Sequence, residues 1–283
     1  HGIEGKYCPP GGLKGKNMYT IGERINGMFT AIGDALIAKD KKPVQDMAAQ
    51  QLASGADALD INVGTRVPKA ERAAAMKWLV ETTREVTDKP LAIDNPGLET
   101  MRSGLQAASK GGRGIINSTT GQAEKLAAFM KLAKEFEAGI ICLAIDENGV
   151  AATPEGKAEI GMRSLAAAME AGVAVENVYL DPIILPCNCD QRAPGIVLET
   201  IRQFKMLSDP APHIVIGLSN LSQGASERLL INRTFLVMAV GAGLDAVIAD
   251  SLDTELMNAM ITAEMLMNRA IYSGSFLQAY RQR

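Results

Sequence analysis

Apolar runs of strand length alternate with helix-like stretches along the whole chain, and almost every run ends in Asp, Asn or Glu. The tips are Glu23, Asp60-Ile61-Asn62, Asp94-Asn95, Asn117, Asp146, Asp181, Ser219-Asn220 and Asp250. Eight strand–helix units predict a single-domain (β/α)8 TIM barrel of the α/β class, in which all eight carboxyl ends point at one mouth. A single polar tip is accounted for by a helix cap or by chance. A ring of them predicts a hydrogen-bonding pocket for a polar ligand.

The predicted strands are Tyr19–Glu23, Ala58–Asn62, Leu91–Asp94, Ile115–Asn117, Ile140–Ile145, Val178–Asp181, Ile214–Leu218 and Ala246–Ala249. They are short and mostly non-alternating, as strands buried on both faces are. Helices are predicted near 43–54, 69–86, up to 109, around Leu126, Phe129, Met130 and Ala133, and near 154–172, 194–207, 227–240 and 254–272, with Tyr280-Arg281-Gln282-Arg283 as a solvated tail. Gly55-Ala56-Asp57-Ala58 echoes Gly243-Leu244-Asp245-Ala246; both precede a strand and read as turn chemistry on the bottom face. The rival architecture, an open doubly wound sheet, lacks the Gly-x-Gly-x-x-Gly that opens a helix after its first strand.

With 283 residues and 47% apolar content the chain can bury one large core. A net charge of −3 gives no reason to expect nucleic acid or an anionic membrane as partner. The longest apolar stretches are too short to span a bilayer. Four cysteines in such a length make no disulfide framework, so a reducing, cytoplasmic setting is expected, without a signal peptide. Residues 1–17, rich in Gly, Pro and Lys, are expected to be a vector-derived or disordered leader, with the domain spanning 18–283.

Histidine is nearly absent: His1 falls in that leader and His213 precedes the seventh strand at the bottom face. Histidine bases and histidine-ligated metals are therefore disfavoured. No lysine ends the sixth strand, which argues against Schiff-base chemistry. Asp94, Asn117 and Asp181 end strands that can converge on one wall. A carboxylate accepts two parallel N–H bonds and an amide both donates and accepts. The trio suits a flat heterocycle with an amino-pyrimidinone edge, such as a pterin; the alternative is that each merely caps its helix. An oxygen-ligated Mg or Mn is a further reading of an acidic mouth, weakened by the interleaved Asn. Cys187-Asn188-Cys189 lacks a second pair and reads as loop or pocket wall.

At Ile21-Gly22-Glu23-Arg24-Ile25-Asn26-Gly27, Leu59-Asp60-Ile61-Asn62-Val63-Gly64, Ile116-Asn117-Ser118-Thr119, Asp181-Pro182-Ile183-Ile184 and Gly217-Leu218-Ser219-Asn220-Leu221-Ser222-Gln223 the chain resembles the methyltetrahydrofolate:corrinoid-protein methyltransferases. These are pterin-binding barrels related to the folate domain of cobalamin-dependent methionine synthase and, more distantly, to dihydropteroate synthase. The resemblance implies that Asp94, Asn117 and Asp181 hold the pterin of (methyl)tetrahydrofolate and that Asn220 is catalytic, beside the methyl-bearing ring nitrogen. It implies that Gly217, Ser219, Gln223 and Arg228 line the same wall, and that Asn26, Asp60 and Asn62 complete the mouth. It further implies a homodimer and a corrinoid (cobalamin) supplied by a partner protein. The acidic Asp146-Glu147-Asn148, the Cys-Asn-Cys stretch and Gly224-Ala225-Ser226-Glu227 are individual departures. Dihydropteroate synthase chemistry, or a non-catalytic pterin-binding or corrinoid-docking module, are the competing readings.

Overall fold

Each apolar run pairs in parallel with the next, and the last closes on the first. A computed structural model describes residues 18–281; the expected leader at 1–17 lies outside the described residues. The barrel strands are β1 (Tyr19–Asn26), β2 (Ala58–Asn62), β3 (Leu91–Asp94), β4 (Gly114–Thr120), β5 (Gly139–Leu143), β8 (Val178–Asp181), β9 (His213–Gly217) and β10 (Ala246–Ala249), with β6 (Ile145–Asp146) and β7 (Gly149–Val150) forming a separate hairpin. The closed order is β1-β10-β9-β8-β5-β4-β3-β2, the expected eight-stranded TIM barrel.

The helices are α1 (Thr30–Ala38), α2 (Lys41–Ala53), α3 (Arg72–Arg84), α4 (Leu98–Ala108), α5 (Ala123–Glu135), α6 (Pro154–Glu170), α7 (Ala193–Phe204), α8 (Arg228–Ala242), α9 (Thr254–Leu266) and α10 (Phe276–Arg281). On α5, Leu126, Phe129, Met130 and Ala133 are buried, as their spacing predicts. These helix faces and the outward strand residues, among them Leu59, Ile61, Ile93, Ile116 and Leu180, form the larger core.

A second core fills the barrel itself. Ile21, Ala58, Ala92, Ile115, Ile141, Tyr179, Val215 and Ala246, one from each strand, meet along the axis. Neighbouring inward residues are level: Ala92 pairs with Ile115 and Ile141 with Tyr179. Each fully buried aliphatic or aromatic side chain contributes roughly 1.5–3 kcal/mol, so this plug both supports the barrel and closes it below the mouth.

The two Gly-x-Asp-Ala echoes do the same job at the bottom. Gly55 and Gly243 have φ of 98° and 117°, which only glycine adopts without strain. Two residues on, Asp57 accepts the backbone N–H of Thr20 and Asp245 that of Ile214. Each aspartate thus staples a turn to an adjacent strand.

Six details depart from the sequence reading. Strands β1 and β4 run past their expected ends, Glu23 and Asn117, to Asn26 and Thr120. Helix α1 was not expected; its N-terminal flank, Phe29, offers no side-chain cap. Strand β5 stops at Leu143, and Asp146, expected as a strand tip, lies in the hairpin, paired with Arg163. The helix expected over 254–272 ends at Leu266. The expected tail is helical through Arg281, with Gln282 and Arg283 outside the described residues.

Candidate active site

Strand periodicity carries the polar tips inward. Side chains two residues apart share a face, so Asp60, Asp94, Asn117 and Asp181 follow the plug residues Ala58, Ala92, Ile115 and Tyr179 on the same side. Asp94 is level with Asn117, and Asp181 with Leu143. All of them line a cavity of about 670 Å³ at the carboxyl end of the barrel, within the usual range for small-molecule sites. Its wall continues through Glu23, Asn26, Gly217, Ser219, Asn220, Arg228 and Asp250.

The helix-cap alternative fails for the three central residues. The residues flanking α4, α5 and α7 at their N-termini are Gly97, Gln122 and Arg192. The carboxylates and amides instead bond to one another. Asn62 Nδ2 donates to Asp94 Oδ2 at 2.6 Å, and Asn117 Nδ2 donates to Asp60 Oδ1 at 2.9 Å. Asp181 Oδ1 accepts the Ile183 backbone N–H at 2.7 Å. Asp253 is the contrast: it lines the cavity yet accepts from Glu255 and Leu256 at the start of α9.

Consecutive Glu23 and Arg24 both reach the cavity, which a regular strand forbids. The register of β1 against β2 slips between Gly22 and Ile25, and this bulge re-aims the chain. The Arg24 backbone N–H is taken up by Gln51 Oε1 at 2.9 Å. Arg24 then lies over the Phe29 ring, 4.2 Å from its centroid, and pairs with Asp250 at 3.3 Å.

The electrostatics are those of an acidic well. Burial pushes Asp60 far above the usual carboxylate range, and the neighbouring Asp94 pushes it further. Burial also raises Asp94, against the pull of the Asn62 bond. Asp181 is pushed up by burial to about 6, even with the Ile183 N–H and Lys157 favouring its charge. Glu23 is raised by burial and by Asp250, while Ser219 Oγ, donating to Glu23 Oε1 at 2.6 Å, and the two arginines oppose the rise. Such a group of carboxylates holds protons at a pH where free ones would not.

Asn220 is exposed at the rim, on a turn (residues 218–220) that follows β9. A Cβ on Gly217 would stand 3.0 Å from its amide nitrogen, so glycine at 217 leaves room for that amide to move. Arg228 anchors the same turn, donating to the Ser219 carbonyl at 3.1 Å and to Ser222 Oγ at 3.2 Å.

Two expected residues stand apart. Asn62 holds Asp94 and is not among the residues that line the cavity. Gln223 is exposed and outside the lining, because the turn carries it past the rim. Cys187 is partly packed on the core and its backbone N–H bonds the Leu221 carbonyl, so the Cys-Asn-Cys stretch braces the Asn220 turn. Among the described residues no group of three His, Cys, Asp or Glu is arranged to hold a metal ion. Sequence reasoning missed Arg24, Phe29, Leu229, Asn232 and Leu256 in the lining. Arg24 has no signal in the alternation, since a bulge places it; Phe29 comes from the turn before α1, and the others from α8 and α9.

Comparison with known proteins gives the fold and the family. A methylcorrinoid:tetrahydrofolate methyltransferase of Eubacterium limosum is 26% identical over 270 residues, covering 94% of this chain and 97% of that protein. The methionine synthase of Mycobacterium leprae is 32% identical over 241 residues, which are 81% of this chain but 20% of the synthase. Among solved structures, dihydropteroate synthases of Yersinia pestis, in a sulfonamide drug complex, and of Stenotrophomonas maltophilia superpose with TM-scores of 0.69 and 0.68. Their identities are 13% and 18%, covering 90% and 92% of this chain and 96% of each structure, and they show the fold. The family model of pterin-binding enzymes matches residues 23–250, from the first polar strand tip to the last, and the chain belongs to that family.

Proposed function

We propose that this barrel moves a methyl group between the ring nitrogen of (methyl)tetrahydrofolate and the cobalt of a corrinoid carried by a partner protein. The observation that carries the reading is the inward trio Asp94, Asn117 and Asp181 with the Asn220 amide at the rim above it. The similarity to a methylcorrinoid:tetrahydrofolate methyltransferase along nearly both full lengths supports it.

In this reading Asp94, Asn117 and Asp181 receive the donor–acceptor edge of the pterin, Asn62 fixes Asp94, and Asp60 fixes Asn117. Gly217, Ser219 and Arg228 form the wall beside the reacting nitrogen, and Asn26 completes the rim. A methyl group on a tertiary amine is a poor electrophile until its nitrogen is protonated or hydrogen-bonded. Asn220 donates a bond that strengthens in the transition state without carrying a fixed charge there. The carboxylates raised by burial supply and accept the proton through water. Reduced cobalt supplies the nucleophile, so the protein needs none of its own.

An apolar collar supports a partner seated on the mouth: Met28, Leu98, Leu185 and Leu229 are exposed on loops and helix starts that follow β1, β3, β8 and β9. Leu230, Val237 and Met238 lie along one exposed side of α8, and we assign that side to a second copy of the chain. No helix among the described residues is long and apolar enough to cross a membrane; the cytoplasmic assignment rests on the cysteine count.

The competing synthase reaction releases pyrophosphate. A lining with Glu23, Asp60, Asp94, Asp181, Asp250 and Asp253 against Arg24 and Arg228 does not favour that anion. The test is anaerobic visible absorbance with tetrahydrofolate and methylcobalamin. Decay of the methylcobalamin bands with appearance of methyltetrahydrofolate is the expected result. Absence of both reaction and folate binding in a calorimetric titration would overturn the reading.

A further inference from the structure

The loop that leaves β8 turns on an isoleucine. Ile183 has a φ of 54°, in the left-handed region that β-branched residues avoid. Two contacts hold it there. One is its N–H bond to Asp181 Oδ1. The other is Lys157, whose ammonium donates to the carbonyls of Pro182 at 2.5 Å and of Ile183 at 3.3 Å.

Lys157 occupies an unfavourable place for a cation. It is 3% exposed, and burial shifts its ammonium towards the neutral form. It sits in the first turn of α6, where the positive end of the helix dipole opposes it. Its donors go to carbonyls of the loop behind the pocket wall and not to a carboxylate. A methionine would fill the same space without either cost, so its donors and charge are what the position uses.

We propose that Lys157 is the positioning residue for Asp181: it clamps the Pro182-Ile183 turn from behind, aims the Asp181 carboxylate into the well, and keeps it ionised for the ligand's N–H groups. The inference rests on the pterin reading of the same pocket. Lys157 is the cation whose charge acts on Asp181. On the β5 side Asp181 meets Leu143 and Ala144, and on the β9 side Gly217 borders the well. The other charged groups early on α6 turn away: Glu155 and Glu159 are exposed, and Arg163 pairs with Asp146 on the hairpin. Across the well stand Glu23, Asp60, Asp94 and Asp250, with Arg24 and Arg228 at the rim.

The test is a fluorescence titration of the whole chain with tetrahydrofolate from about pH 5.5 to 8.5, in wild type, Lys157→Met and Lys157→Arg. Wild-type affinity is expected to fall as pH drops through the range near 6 in which Asp181 gains its proton. In Lys157→Met that midpoint moves up by about one pH unit, weakening binding about twofold at pH 7, by close to tenfold at about pH 5.5, and recovering it in alkali. Lys157→Arg keeps the charge and the wild-type midpoint. Should Lys157→Met not fold, Lys157→Met/Ile183→Gly replaces it, since glycine takes the left-handed turn without a clamp. A midpoint unmoved in the folded variant, or a loss equal at every pH, overturns the proposal, as does a chain that folds in neither variant. Wild type that binds no tetrahydrofolate sinks the pterin reading as well, whereas a binding wild type with a superimposable Lys157→Met profile sinks this inference alone.

Discussion

Asp245 at the bottom of the barrel and the aspartates at its mouth carry opposite electrostatics. At the bottom, Asp245 accepts from the Ile214 N–H at 2.7 Å and from Lys205 at 2.7 Å, and pairs with His213 at 3.0 Å. Burial opposes its charge, but those partners prevail and hold its carboxyl below the usual range. At the mouth, burial wins at Asp60, Asp94 and Asp181, all held above that range. The bottom carboxylate is saturated by the protein. The mouth carboxylates are left with capacity for something that is not part of the chain. The same residue type thus stabilises the fold at Asp245 and is a cost to it at the mouth, while Asp57, with the Thr20 N–H but no cation bonded to it, is also raised by burial.

The largest test of that division is at the rim. Asn220→Ala should lower turnover by about one to three orders of magnitude while changing folate affinity much less. Steady-state kinetics beside a binding titration decides it, and an equal loss in both would remove Asn220 from the chemistry. At the bottom, Asp245→Ala should leave binding intact but cost about 2–4 kcal/mol of stability, because a lysine and a backbone N–H lose their acceptor. Denaturant melts check this. The contribution should be present above the unfolded carboxyl value and vanish as pH falls through the lower folded one.

Asp181→Asn sharpens the contrast, because its two effects have opposite signs. Folate binding should weaken about tenfold, since an amide oxygen replaces a bidentate acceptor. Stability at neutral pH should rise, by up to about 3 kcal/mol. A carboxyl raised to about 6 in the folded state costs nothing below the unfolded carboxyl value, disfavours folding increasingly as pH rises between the two values, and does so fully above about 6. Melting curves at two pH values on either side of 6 would expose the error if the variant were less stable in alkali. The smallest effect belongs to Gln223→Ala, which sits on the exposed side of the turn and should change turnover and melting by less than about twofold and 0.5 kcal/mol.

Much of this was legible in the chain because a buried parallel strand is a short apolar run with an abrupt polar end. Strands β2, β3, β8 and β10 run over the residues the sequence predicts, Ala58–Asn62, Leu91–Asp94, Val178–Asp181 and Ala246–Ala249. The pocket acids were visible for the same reason. What was not legible has local causes. Leu143-Ala144-Ile145 reads as one strand continuing, and only Asn148-Gly149 signals the hairpin turn that removes Asp146 from the ring. The bulge in β1 has no compositional mark, so Arg24 could not be assigned to the cavity. Gln223 follows Asn220 closely in sequence, but a short helical turn separates their directions.

The plug of Ile21, Ala58, Ala92, Ile115, Ile141, Tyr179, Val215 and Ala246 has an evolutionary consequence. It is a nonpolar partition between the saturated end and the working end, and no hydrogen-bond chain can thread its aliphatic members. Changes on one side are therefore invisible to the other. A lineage can rewrite the mouth for another heterocycle or another partner, residue by residue, without renegotiating the foundations that let the barrel close.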